Sequence, residues 1–157
     1  MAGRVVVLSG PNLAALGSRE PEIYGRLTLA QVHDAVAAEA DRLGLELVAA
    51  RQTDDEGELV GWLHEAAREG WDVVLNPAAF THYSYAVGDA CAHLTGRGCR
   101  LVEVHLSNPA AREAFRHTSV VAAVATGTVA GFGMRSYLLA LAALAGGDHD
   151  RGGPGGG

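Results

Sequence analysis

Apolar residues recur along this chain in two ways. Short, nearly continuous runs occur at residues 4–10 (RVVVLSG), 45–52 (LELVAARQ), 71–77 (WDVVLNP), within 99–109 (CRLVEVHLSNP) and at 120–127 (VVAAVATG). Runs of this kind, four of them closed by Gly or Pro, suit strands buried on both faces. Between them lie segments with helical spacing at 28–44, 54–70, 84–96 and 132–146. Boundary residues agree: Thr28 and Gln31 have capping-box spacing, Gly44 sits at a C-cap position, and acids open the segment that Gly70 closes. A short helical turn is expected around Arg112 to Phe115. Five strands alternating with helices predict an α/β fold, a doubly wound five-stranded parallel sheet with helices on both faces. No internal repeat or second domain is visible, so residues 1–146 read as a single domain. The Gly-rich tail 147–157 reads as disordered by composition.

One stretch breaks the pattern. From Ser9 to Gly25 (SGPNLAALGSREPEIYG) there is no sustained period of either kind. Loops of this length inside a small domain are uncommon and often functional.

Composition narrows the possibilities. At 157 residues and 48% hydrophobic content the chain can bury a sizeable core. A formal net charge of −6 disfavours non-specific nucleic-acid binding. No apolar run reaches membrane-spanning length, and the N-terminus lacks a secretory pattern. Cys91 and Cys99 fit neither a disulfide framework nor paired metal-ligand spacing, and read as buried free thiols. These features point to a cytoplasmic protein.

In open parallel sheets, ligands bind beyond the carboxyl ends of the strands. The polar residues expected there are Asn12 after the first strand, Asn76, His82 and Ser84 after the third, and His105, Ser107 and Asn108 after the fourth, followed by Arg112 and Arg116. This set suits a small polyhydroxylated anion, with arginine for a carboxylate and amides for alcohols. Each residue also has a structural reading: Asn12 and Asn76 as turn formers beside prolines, Tyr24 as loop packing, Arg112 and Arg116 as a solvated pair. His33, His64 and His93 fall on helices at positions that read as surface.

Several mechanisms are set aside. The glycines after the first strand form neither a dinucleotide fingerprint nor a P-loop. No zinc spacing and no nucleophile elbow occur. All twelve basic residues are arginine, so a lysine Schiff base cannot form.

The segments LSGPNLAALGSREPEIYG, NPAAFTHYS, EVHLSN, REAFRHTS and ATGTVAGFGMRSYLLAL, in this order from about residue 4 to residue 145, together resemble type II 3-dehydroquinate dehydratase. The resemblance implies a flavodoxin-like three-layer αβα fold, no metal or cofactor, and a homododecamer built from trimers. It also implies the reaction, an anti-elimination of water from 3-dehydroquinate to 3-dehydroshikimate through an enolate, in the shikimate or quinate pathway. The unrelated type I enzymes use a lysine imine instead.

It further implies residue roles. Tyr24 is the expected base, and Arg19 the cation that favours its phenolate. Asn12 would orient a water or hydroxyl against the enolate oxygen. His105 is the expected acid, with Glu103 on the same strand face as its orienting partner. Leu106 and Ser107 would grip the substrate carboxylate; Asn76, His82 and Arg116 would hold ring hydroxyls; Arg112 would support the pocket. Asp89 would reach the site of a neighbouring subunit. The loop from Ser9 to Gly25 then reads as a lid.

The chain departs from the family pattern at Ser9 and Ala14, where asparagines are usual, at Tyr83, where the family motif has threonine, and at Tyr85 and Gly88. These positions leave open the same elimination on the 5-amino analogue of dehydroquinate. A reading from another class is a non-catalytic flavodoxin-like binding module.

Overall fold

The computed structural model describes residues 3–18, 20–24 and 26–146, with the backbone alone at Tyr24. Five strands form one parallel sheet: β1 (Arg4–Ser9), β2 (Glu46–Gln52), β3 (Asp72–Asn76), β4 (Leu101–His105) and β5 (Gly127–Ala130), in the order β2-β1-β3-β4-β5. The connecting helices are a single turn α1 (Pro21–Tyr24), then α2 (Leu29–Arg42), α3 (Glu56–Glu69), α4 (Tyr85–Gly96) and α5 (Arg135–Leu144).

Alternate residues of each strand face opposite sides, so the sheet carries two apolar layers. Val6, Leu8, Val73, Leu75 and Leu101 lie on the side of α3 and α4. Val5, Val7, Val74, Val102 and Val104 lie on the side of α2 and α5. This is the doubly wound architecture the periodicity predicts. Helix boundaries also agree. Thr28 and Gln31 form a reciprocal capping box on α2. Asp55 caps α3, and Gly70 ends it in the left-handed region at φ 74°.

Two expectations need correction. Residues 120–126 are not the fifth strand. They fold into turns whose amides at Val124 and Ala125 both donate to the Val121 carbonyl. Val121 is fully buried, and Val120, Val124 and Ala125 pack on the same apolar layer. The strand begins only at Gly127, where Thr126 has fastened the chain to β4: its N–H donates to the Leu101 carbonyl at 2.7 Å and its Oγ1 accepts the Leu101 N–H at 2.9 Å. The expected turn around Arg112 to Phe115 is also two separate 3-10 turns, Pro109–Ala111 and Ala114–His117.

The stretch from Ser9 to Gly25 likewise holds a 3-10 turn, Leu13–Ala15, besides α1. Arg19, Gly25 and the Tyr24 side chain lie outside the described residues, as does the tail 147–157. Cys91 and Cys99 are both buried. His33 is not a simple surface residue: its Nε2 is buried without a hydrogen-bond partner, and burial lowers its pKa against the opposing pull of Asp34. His64 is half-buried and packs its ring on that of His93, with centroids 5.0 Å apart. No helix among the described residues is long and apolar enough to cross a membrane.

Candidate active site

Strand order reverses at β1 and β3, whose carboxyl ends lie side by side with Ser9 in register with Asn76. The Gly10 N–H donates to the Asn76 carbonyl at 2.8 Å. A Cβ on Gly10 would stand 2.6 Å from the Pro77 carbonyl oxygen, so only glycine permits this approach. Beyond Gly10 the chain turns sharply, with Asn12 in the left-handed region at φ 69°. Its backbone N–H is held by Asp54 Oδ1 at 2.9 Å, and Gln52 Nε2 ties the same carboxylate to the Gly10 carbonyl. Across the gap, Ala78 also adopts a positive φ of 51°. Strained non-glycine backbone of this kind costs about 1–3 kcal/mol and gathers where surrounding structure enforces it.

A cleft of about 240 Å³ opens at these strand ends. Asn12, Asn76, His82 and His105 line it, as do Leu106, Ser107, Arg112 and Arg116. The structure therefore brings together residues scattered over a hundred positions of sequence. A wider cleft of about 560 Å³ adjoins it, shares Leu106, Ser107 and Arg112, and has apolar walls from Ile23, Leu27 and Met134.

The electrostatic centre is Glu103, only 1% exposed. Burial alone would push its pKa up. Hydrogen bonds from His105, Thr81 and Ser119, with the His105 charge, outweigh that and hold the carboxyl below its usual value. His105 Nε2 meets Glu103 Oε2 at 2.6 Å. Thr81 Oγ1 donates to the same oxygen, and Ser119 Oγ lies 2.9 Å from Oε1. With one ring nitrogen fixed by Glu103, the other is left for the cleft that His105 lines.

His82 is oriented differently. Its Nδ1 lies 2.8 Å from the Thr118 carbonyl, which can only accept, so Nδ1 carries a proton and Nε2 of the neutral ring is an acceptor. Arg112 Nη1 donates to Ser107 Oγ at 3.1 Å, which places a guanidinium beside the turn that follows β4. Arg116 pairs with Glu113 and lies over the Phe115 ring. Asp89 is not among the residues that line the cleft; it is exposed on α4. Ser84 and Asn108 prove to be caps, accepting the backbone N–H groups of Val87 and Ala110. Among the described residues, no group of three or more His, Cys, Asp or Glu side chains could hold a metal ion.

The family model for dehydroquinase class II matches residues 3–145. The chain belongs to this family. A 3-dehydroquinate dehydratase of Salinispora arenicola is 58% identical over 142 residues, covering 90% of this chain and 96% of the relative. The type II dehydroquinase crystal structure from Propionibacterium acnes superposes with a TM-score of 0.87 at 47% identity, covering 92% of this chain and 97% of that one. A second type II dehydroquinase, from Butyrivibrio crossotus, gives 0.86 at 36% identity, covering 91% and 97%. The sheet is thus the flavodoxin-like one of type II dehydroquinases. Neither the amino-analogue reading nor the binding-module reading gains support from these relatives.

Sequence reasoning passed over several residues that shape the family's cleft here. Thr81 and Ser119 hold Glu103, Asp54 and Gln52 hold the Asn12 turn, and Thr118 orients His82. The buried Tyr137 phenol joins Ser9 and Asn76. Only the Thr81-His82 and Thr118-Ser119 pairs in the sequence hint at the first group.

Proposed function

We propose that this protein dehydrates 3-dehydroquinate to 3-dehydroshikimate. The observation that carries the reading is the cleft at the strand ends, in which Asn12, Asn76, His82 and Arg116 surround a histidine backed by a buried carboxylate.

The substrate is a β-hydroxy ketone bearing a carboxylate. Elimination needs a base at the carbon beside the ketone, a stabilised enolate, and an acid at the departing hydroxyl. Tyr24, at the end of α1, takes the proton, with Arg19 favouring the phenolate. The electron pair moves onto the ketone oxygen, and Asn12 supports that charge through a bound water or hydroxyl. The enolate then collapses, the carbon–oxygen bond breaks, and His105 gives its proton to the leaving hydroxide, which departs as water. Glu103 stabilises the His105 imidazolium and fixes its ring.

Binding follows from the same cleft. The backbone N–H groups of Leu106 and Ser107, with the nearby Arg112 charge, receive the carboxylate. His82 accepts from a ring hydroxyl, while Asn76 and Arg116 supply further contacts. Asp89, exposed on α4 and outside the cleft lining, serves a neighbouring subunit in a trimer, with four trimers forming a dodecamer. A cytoplasmic location fits a small-molecule enzyme whose two cysteines are buried.

The test is ultraviolet detection of the conjugated enone after 3-dehydroquinate is added to the purified protein. Turnover should persist in borohydride-treated enzyme–substrate mixtures without a covalent adduct, because no lysine exists to form an imine. No enone formation by the folded assembly would reject the reading.

A further inference from the structure

Beneath the cleft, three buried polar side chains meet where strand order reverses. Tyr137, at the start of α5, is fully buried, and its hydroxyl lies 2.9 Å from Ser9 Oγ at the end of β1. The same hydroxyl accepts from Asn76 Nδ2 at 3.1 Å at the end of β3. The orientation of the Asn76 amide is not arbitrary. Its Oδ1 accepts the Ala78 N–H at 3.1 Å, which forces Nδ2 toward the phenol. Ser9 and Asn76 are themselves 0% and 3% exposed. Burial raises the Tyr137 pKa, against the opposing effect of Ser9 and Asn76, so the phenol stays protonated.

A side-chain amide has two N–H donors and two acceptor lone pairs. In Asn76 one donor is committed to Tyr137 and one acceptor site to Ala78, which fixes the amide plane and leaves the remaining donor and acceptor sites for the cleft that Asn76 lines. We propose that Tyr137, with Ser9 behind it, is a positioning residue that sets the Asn76 amide for recognition of a substrate ring hydroxyl. Tyr137 never touches substrate; it acts through Asn76. This inference rests on the proposed dehydratase function.

The consequence is a specific kinetic pattern. A ring hydroxyl remote from the bond changes is held alike in the ground and transition states, so loosening Asn76 weakens binding more than chemistry. Tyr137→Phe keeps the ring and removes only the hydroxyl. KM should rise about tenfold, with kcat within about threefold of native, the pattern of a lost uniform binding contact. In an Asn76→Ala background the same substitution should change kcat/KM by less than about twofold, because the residue it acts through is gone. Ser9→Ala provides a second route if Tyr137→Phe folds poorly: a KM increase of about threefold, again abolished in the Asn76→Ala background.

The experiment is steady-state enone formation from 3-dehydroquinate by native protein, Tyr137→Phe, Ser9→Ala, Asn76→Ala and the two doubles, with urea midpoints measured in parallel. The expected result is a KM effect that disappears once Asn76 is alanine. A lowered urea midpoint with unchanged KM, or effects that multiply in the doubles, would make the network merely structural and overturn the inference while leaving the dehydratase reading intact. A folded native protein that forms no enone would overturn both.

Discussion

Glu103 is almost sealed from water, yet its surroundings favour the ionised form. Three donors make the difference: His105, Thr81 and Ser119. Its pKa in the folded chain lies below the ordinary 4.5, so the unfolded chain binds more protons near that pH. The stabilisation is therefore present above that value and is lost as pH falls through the lower folded one. Glu103→Gln should flatten this acid limb, measured as urea midpoints between neutral pH and about pH 3. It should also cut turnover about tenfold to a hundredfold, the range expected when a charged hydrogen bond of about 1.5–3 kcal/mol is lost from the transition state. An unchanged acid limb would contradict the ionised carboxylate. At this scale His105, Asn12 and Asn76 were legible because they follow apolar runs, where a parallel sheet exposes its strand ends. Tyr137 was not. It sits in the apolar stripe of the last helix, and its partner Ser9 is 128 positions away. No local pattern marks a phenol whose purpose is a buried hydrogen bond.

At the scale of elements, strands and helices were read from period and caps, and α2 and α3 fall where Thr28, Gln31, Asp55 and Gly70 put them. The larger of the two exceptions is the segment before β5. A nearly continuous run of valine and alanine reads as a strand, but Val121 satisfies its burial inside a turn packed near α4. Two glycines report how tightly these connections are packed. At Gly88 an added Cβ would meet the Val120 carbonyl oxygen at 3.1 Å and its Cγ2 at 3.4 Å. Val120 lies in a connection that can give slightly, so Gly88→Ala should cost about 1 kcal/mol, the mild end of overpacking. Gly10→Ala meets the Pro77 backbone at 2.6 Å, between two strand ends that cannot separate without breaking the Gly10–Asn76 hydrogen bond. It should cost about 3 kcal/mol or more and also lower turnover, because Asn12 and Asn76 flank the contact. Urea denaturation of the two variants checks the ranking; equal costs would contradict it.

For the whole molecule, the cleft has its own fold behind it but not its full complement of side chains if Asp89 belongs to a neighbour. Tyr83 and Tyr85 are 57% and 76% exposed at the start of the helix that carries Asp89. Apolar area of this sort is available for burial between subunits. Light scattering should give a mass that is a multiple of three chains, with twelve favoured. Asp89→Ala should lower turnover without lowering the stability of the subunit fold. A fully active monomer, or an Asp89→Ala variant with native turnover, would contradict the shared site. The expectation of assembly rests on family resemblance alone, since a chain's periodicity reports its own core and not what its surface meets.

If this cleft removes water from 3-dehydroquinate by a tyrosine base and a histidine acid, neither group can be spared. The most direct measurement is enone formation by native protein beside verified, folded Tyr24→Phe and His105→Ala variants. The native enzyme should turn over, and each variant should lose at least about a hundredfold, as expected for deleting a general base or acid. Native turnover retained in either variant would contradict the role assigned to that residue, and no turnover by the native protein would contradict the claim as a whole.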